Sequence, residues 1–273
     1  LTTGVGGTAS VTTTQYSVNG NTGYFAGYEV TLSATAATGY TFDAFYTTSA
    51  CTSSTKLSGN KYTTVNANST VYAKFIINSY IINATARYQS AINAVGLGAL
   101  TTGTTGGTVS GGGSYDYNAS VTLKATAKTG YRFVGWFNNE ECTGTASSTS
   151  ASFTFNVSGN ATYYAKFVQS QVTVSVLTKY RTASGINTLG DLTVGTTGGT
   201  VSATSDSTIY YGQSSTFSAD PASGYTFVGW FNSSNDSVGT NTTYTASEVK
   251  ANIFGIYAKF VTTPLTGVSA HVG

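Results

Sequence analysis

The chain has 273 residues, enough for one large domain or two to three small ones, each with a real core. Hydrophobic residues make up 40% of it but charged residues only 8%, against roughly 25% in an ordinary soluble domain, and the formal net charge is +2. Twelve basic and ten acidic residues form no block, which excludes a nucleic-acid footprint and a polybasic membrane patch; no apolar run reaches the roughly 18 residues of a membrane span, the longest, Ala91 to Leu100, being broken by Asn93 and two glycines.

A surface with so few charges has little to keep it from meeting another surface, so the composition suits a protein that buries much of itself in an assembly. The uncharged polar residues are Ser, Thr, Asn and Gly, mixed with 20 Tyr and 14 Phe. That mixture favours strands and turns over helices, and 13% aromatic residues argue against disorder. The absence of Met, with Leu1 first, is read as the removal of a secretory leader; a trimmed piece would read the same.

Three landmarks then recur in a fixed order along the chain. A glycine turn opens a strand at Gly6-Gly7-Thr8-Ala9-Ser10, Gly106-Gly107-Thr108-Val109-Ser110 and Gly198-Gly199-Thr200-Val201-Ser202. A Gly-Tyr turn leads an aromatic strand: GYTFDAFY from Gly39, GYRFVGWF from Gly130 and GYTFVGWF from Gly224. A closing strand, YAKF, begins at Tyr72, Tyr164 and Tyr257, with intervals of 92 and 93 residues. Alternation marks these segments as strands: Val172, Val174 and Val176 share one face, and SFTFNV and TVYAKF alternate likewise. The predicted fold class is all-β, three small sheet or sandwich-like repeats in tandem, joined by turns rich in Gly, Ser, Thr and Asn.

Alternation in YAKF puts Phe75, Phe167 and Phe260 on the core face, and Phe45, Trp136 and Trp230 anchor the same core. A sugar-stacking platform is the rival use for these aromatics, but one per repeat at a fixed strand position reads as core.

The G-T-V-S turn, the strand Val121-Thr122-Leu123-Lys124-Ala125, GYxFVGW and the terminal YAKF together resemble the divergent relatives of the internalin B-repeat, found in bacterial and archaeal surface proteins. The first repeat matches least well, with Ala44-Phe45 in place of Gly-Trp. The resemblance implies an extracellular β module used as stalk, spacer or interaction unit, with no catalytic residues.

Repeat one is taken as residues 1–77, repeat two as 78–169, repeat three as 170–262, and 263–273 as a C-terminal extension. SYIINATARYQ from Ser79 and QVTVSVLTKYRT from Gln171 read as the first strand of the repeat that follows each. Leu1-Thr2-Thr3-Gly4 corresponds to Leu100-Thr101-Thr102-Gly103, so repeat one is expected to lack that strand. The extension, with Pro264 near its start, is long enough to serve as a donor strand for another subunit, or it is a plain tail beside a capped edge.

Cys51 and Cys142 each lie twelve residues beyond the Gly of the Gly-Tyr turn, where repeat three has Asp236, so both are expected at an exposed loop position. A disulfide needs Cα atoms within about 7 Å. An intrachain bond would require repeats one and two to fold face to face; a bond from Cys51 of one chain to Cys142 of the next is preferred, and free thiols are the remaining reading.

No metal site, cofactor or catalytic centre is expected. The only histidine, His271, sits in the extension, the acidic residues near Cys142 are just Glu140 and Glu141, and carboxylates do not recur in pairs between repeats. An isopeptide bond from Lys74, Lys166 or Lys259 to an Asn would want a repeated carboxylate beside it, and none recurs. Eight Asn-x-Ser/Thr sequons, at Asn68, Asn83, Asn118, Asn156, Asn160, Asn232, Asn235 and Asn241, are glycosylation candidates. There is no LPxTG signal; Pro264-Leu265-Thr266-Gly267 has the wrong order.

The functional expectation is a secreted, cell-surface structural subunit that binds itself head to tail, as a filament, pilus-like fibre or sheath. Ser79–Gln89 and Ser152–Val168 also carry the β propensity for amyloid-like sheets. The alternative is an adhesin or carbohydrate-binding stalk that takes a glycan or host-surface ligand.

Overall fold

The computed structural model describes residues 5–203 and 207–264. Among them there is no α-helix; strands are joined by turns, with one short 3-10 turn at Ser53–Thr55. The all-β class and the three tandem repeats follow from the alternation and the period.

Each repeat contributes one three-stranded antiparallel sheet. In the first it is Gly7–Val11, Glu29–Ala36 and Lys61–Thr63; in the second, Gly107–Ser110, Ser120–Ala127 and Ser152–Asn156; in the third, Gly199–Ala203, Ser215–Pro221 and Thr243–Ala246. The middle strand is the V-T-L-x-A segment, whose alternate residues Val30, Leu32, Val121, Leu123, Phe217 and Ala219 are buried while their neighbours are less so.

The second sheet of each repeat pairs the aromatic strand with the closing strand. Tyr40–Tyr46 pairs antiparallel with Tyr72–Ile77, Tyr131–Phe137 with Ala161–Gln169, and Tyr225–Phe231 with Ile253–Thr262. In the second and third repeats an opening strand, Ser79–Gln89 or Gln171–Arg181, lies along the other edge of the closing strand. Gln171–Arg181 runs parallel to Ile253–Thr262, with Val176 opposite Ile256 and Tyr180 opposite Phe260. In the first repeat the sheet has two strands only among the described residues.

All three aromatic strands carry a bulge at the same place, between Phe42 and Ala44, Phe133 and Gly135, and Phe227 and Gly229. The extra residue resets the alternation, so the Phe and the aromatic three residues later face the same side. Their rings pack 4.9, 6.0 and 5.7 Å apart, as Phe42–Phe45, Phe133–Trp136 and Phe227–Trp230. Glycine at the bulge of repeats two and three lets a neighbouring backbone approach: a Cβ on Gly229 would lie 2.8 Å from the Gly239 carbonyl oxygen.

The third-repeat core joins both sheets: Phe217, Ala219 and Ala246 from one, Val172, Val174, Trp230, Ala258 and Phe260 from the other. The first-repeat core is smaller, with Val30, Leu32 and Phe45 as its buried members. By contacts the chain divides into two compact units, one of Leu1–Ala84, Ser110–Lys124 and Ser152–Tyr163, the other of Thr85–Val109, Ala125–Ala151 and Tyr164–Gly273. The division cuts through the second repeat, because Ser79–Gln89 follows the first closing strand with only Asn78 between.

Of the six core anchors, Phe45, Trp136, Trp230, Phe167 and Phe260 are buried, but Phe75 is only partly so. The reason is local. In the other repeats the closing Phe lies between the Gly-Gly turn and an opening-strand tyrosine: a Cβ on Gly198 would sit 2.5 Å from Tyr180 Cβ and 2.9 Å from Phe260 Cβ, and Gly106 stands the same way to Tyr88 and Phe167. A Cβ on Gly6 would meet Phe75 and Tyr40 but no opening strand.

Truncating a fully buried Phe costs about 3–5 kcal/mol. Phe260→Ala should therefore lower amide-exchange protection throughout the third repeat, whereas Phe75→Ala should cost its own repeat about half as much, measured by native-state hydrogen exchange.

Candidate functional site

The first repeat holds the one feature that its siblings fill. Beside the edge of Tyr72–Ile77 that has no strand partner among the described residues runs a groove of about 500 Å3, floored by Ala9, Val11, Val30, Leu32 and Phe45 and bounded by the segment Ser69 to Phe75. The position corresponds to the one that Val172, Val174 and Val176 take in the third repeat, where Val174 is wholly buried. Such an edge presents backbone N–H and C=O groups that call for partners, and the groove beside it joins an apolar floor to the hydroxyls of Ser10, Thr64, Ser69 and Thr70.

Three exposed aromatics lie on the same repeat: Tyr16 on a hairpin of Tyr16–Val18 and Asn21–Gly23, then Phe25 and Tyr28, exposed to 61, 57 and 69%. Their rings touch, with centroids 5.2 Å apart for Tyr16–Phe25 and 6.5 Å for Phe25–Tyr28. Neither reading of the repeat motifs pointed to this cluster, which lies outside the recurring landmarks.

On the outer face of that sheet, Asp43 accepts hydrogen bonds from the Tyr46 hydroxyl at 2.5 Å and from Lys56 at 3.0 Å, with Lys74 at 3.8 Å. The Tyr46 hydrogen bond first, then Lys56, holds the Asp43 carboxyl below its ordinary value. Its stabilising contribution is thus present above the ordinary carboxylate range and is lost as pH falls through the lowered value. Asp43 is the bulge residue of the first repeat; Val134 and Val228 take its place in the others, so this carboxylate beside a YAKF lysine does not recur.

Both cysteines are unbonded. They share a left-handed backbone, φ +47 at Cys51 and +48 at Cys142, and each N–H donates to the carbonyl three residues earlier, Thr48 or Asn139, at 3.2 Å. In the third repeat the left-handed residue is Asn235, bonded back to Asn232, and not Asp236: the turn there is one residue tighter. The expected exposure fails for Cys142, which is 2% exposed, while Cys51 is partly exposed. The Asn139 side chain accepts the Thr143 N–H at 3.0 Å, and the neighbouring Glu140 pairs at 2.5 Å with Arg87, a buried residue of the opening strand that the first repeat lacks among the described residues. Burial pushes the Cys142 thiol up, against the opposing pull of Lys166 and Arg87.

Seven of the eight sequon asparagines are exposed, Asn232 being partly covered. Several already use their amides: Asn156 donates to Asn118, Asn160 accepts from the Ile81 N–H, Asn232 bonds Asp236, and Asn235 accepts from the Tyr257 hydroxyl. Asn68 and Asn241 lie in loops outside any strand. Ser79–Gln89, an amyloid-type segment by propensity, has strand partners on both edges of its sheet. Leu265–Gly273, with His271 and nearly all of the expected donor strand, lies outside the described residues. Among the described residues no cluster of His, Cys, Asp and Glu could hold a metal ion, and no helix is long and apolar enough to cross a membrane.

No curated protein matches the sequence. Among solved structures, domains 3–4 of the Streptococcal High Identity Repeats in Tandem (SHIRT) type from a cell surface protein align at 10% identity over 68% of this chain and 99% of that one, with a TM-score of 0.21. The family model for the divergent InlB B-repeat domain matches three times in succession, over residues 1–79, 99–171 and 191–263. These matches take in all three glycine turns, aromatic strands and closing strands, and the chain therefore belongs to the divergent InlB B-repeat family.

Proposed function

We propose that this chain is a structural subunit of an extracellular, cell-surface assembly, a filament, pilus-like fibre or sheath, that holds together by β-strand pairing between copies. The observation that carries the reading is the edge of Tyr72–Ile77 that has no strand partner among the described residues, beside a groove with an apolar floor, in a repeat whose siblings have that edge covered. The 8% of charged residues supports it, since a surface with little mixed charge has little to oppose association. Membership in a family of tandem repeat domains supports a non-catalytic, architectural role and a surface location.

Covalent cross-linking is secondary in this reading. A bond from Cys51 of one chain to Cys142 of the next requires the Asn139–Thr143 loop to open first, because the Cys142 thiol is buried.

A second reading, an adhesin or carbohydrate-binding stalk, is favoured by the exposed cluster of Tyr16, Phe25 and Tyr28, since sugars stack on aromatic faces. Here the chain would stay monomeric and bind glycans through that hairpin.

Sedimentation of the purified chain at neutral pH, with and without reductant, decides between them. Self-assembly predicts material that pellets in both conditions and grows with protein concentration; a 28.1 kDa monomer throughout, retained on a glycan surface, supports the adhesin. Alkylation supplies a check on the thiols: at pH 7 Cys51 should react at least about tenfold faster than Cys142, with the difference gone in denaturant.

A further inference from the structure

We propose that the outer face of the third repeat is a carboxylate-binding site built on Lys179 and Lys259, and that its ligand is an acidic saccharide. The site lies apart from the first-repeat groove and from the aromatic hairpin, and it rests on neither.

The strands set the two lysines side by side. Gln171–Arg181 and Ile253–Thr262 run parallel with Lys179 directly opposite Lys259. Val176 and Tyr180 pack inward and Ala258 and Phe260 are buried, so alternation turns both lysines outward. Each ammonium lies over a ring: Lys179 Nζ is 3.9 Å from the centre of Tyr257, and Lys259 Nζ is 4.9 Å from the centre of Phe231. The two rings stack at 5.7 Å, and the Tyr257 hydroxyl is fixed by donating to Asn235 at 2.6 Å.

Both lysines are half-buried, and among the described residues neither belongs to an ion pair. Like charges directly opposite one another work against the strand pairing that holds them. An aromatic face offsets part of the hydration an ammonium loses, but it does nothing about the repulsion between neighbours. An anion held by both ammonium groups relieves that repulsion and supplies charge-assisted hydrogen bonds as well.

The sibling repeats show what this place takes. In the first, the YAKF lysine, Lys74, lies 5.8 Å over the Tyr46 ring and 3.8 Å from the Asp43 carboxylate, which Lys56 also reaches. In the second, Arg87 stands before Tyr88 as Lys179 stands before Tyr180, and it pairs with Glu140. The third repeat has the cations without either carboxylate. Val228 is the bulge residue where the first repeat has Asp43, and the loop after Phe231 reads Asn232-Ser233-Ser234-Asn235-Asp236. The one acid of that loop is turned into its own turn, Asp236 accepting from the Asn232 amide at 3.2 Å. A carboxylate from outside the chain therefore completes the third repeat as Asp43 and Glu140 complete the other two.

The rim of the site favours a sugar as the carrier of that carboxylate. Leu177, two residues before Lys179 on the same face, is exposed, as are Val228 at the bulge and Phe254, which follows the inward-packed Ile253. Apolar groups next to a cation pair suit a ring that offers a C–H face and an acid together, as a uronic acid does. Lysine, a compact charge with three donors on a flexible stem, takes such a carboxylate without demanding the planar approach of a guanidinium.

The test titrates the full chain at low ionic strength with an oligogalacturonate and with a neutral maltooligosaccharide of the same length, by isothermal titration calorimetry. The wild type should bind the uronate at least about tenfold more tightly than the neutral sugar and lose that preference in high salt. Val228→Asp installs a carboxylate where the first repeat already carries one at the same bulge, and it should weaken uronate binding at least about tenfold. Lys179→Gln/Lys259→Gln should abolish that binding with an unchanged circular dichroism spectrum. A wild type that takes neither sugar, or takes both equally, overturns the acidic saccharide, and variants that bind as the wild type does overturn the site. If the wild type ignores the uronate but sediments as an associated species that Val228→Asp disperses, the carboxylate comes from a second copy and the saccharide is overturned.

Discussion

The repeat depends on how its closing phenylalanine is held. Phe167 and Phe260 lie against a Gly-Gly turn on one side and an opening-strand tyrosine on the other, with distances that leave no room for a Cβ on Gly106 or Gly198. The ring therefore ties together three segments distant in sequence: the turn that starts one sheet, the closing strand of the other, and a strand that enters straight from the preceding repeat. Burial of the ring, the strand pairing and the choice of glycine support one another. Phe75, without its tyrosine, shows the effect of removing one member: it is only partly buried, and a groove opens beside it.

Because the second and third repeats each take their first strand from the chain leaving the neighbour before, neither is a self-contained bead. The boundary between the two compact units accordingly runs through the second repeat. The Gly-Tyr turns at Gly39 and Gly130 work in the opposite direction, as seats for an aromatic that the later repeat returns to the earlier one, Tyr117 or Tyr211. A joint built from two reciprocal contacts fixes orientation better than a linker.

The period, the strands and most of the core were legible in the sequence, since alternation in YAKF and V-T-L-x-A reports directly on which side chains turn inward. The packing of Phe42, Phe133 and Phe227 was not, because a bulge breaks the two-residue rhythm on which such reading rests. Counting from the Gly-Tyr turn placed the two cysteines in the same loop but could not reveal that the loop of Cys142 is pinned by the Glu140–Arg87 pair to an opening strand, so Cys142 is buried where exposure was expected. The seats were hidden for a different reason: Gly39 and Tyr117 are far apart in sequence, and a glycine before a tyrosine looks like any turn. The aromatic cluster of Tyr16, Phe25 and Tyr28 belongs to no repeated motif, and periodicity is silent about what occurs once.

The parallel pairing of Gln171–Arg181 with Ile253–Thr262 also bears on force. These two strands are where the chain enters and leaves the third repeat, and they run in the same direction side by side. Tension applied along the chain draws one strand toward its start and the other toward its end, so the hydrogen bonds between them are loaded together in shear and do not open one at a time like a zip. With its opening strand in place the third repeat therefore resists tension as a shear-loaded pair of strands.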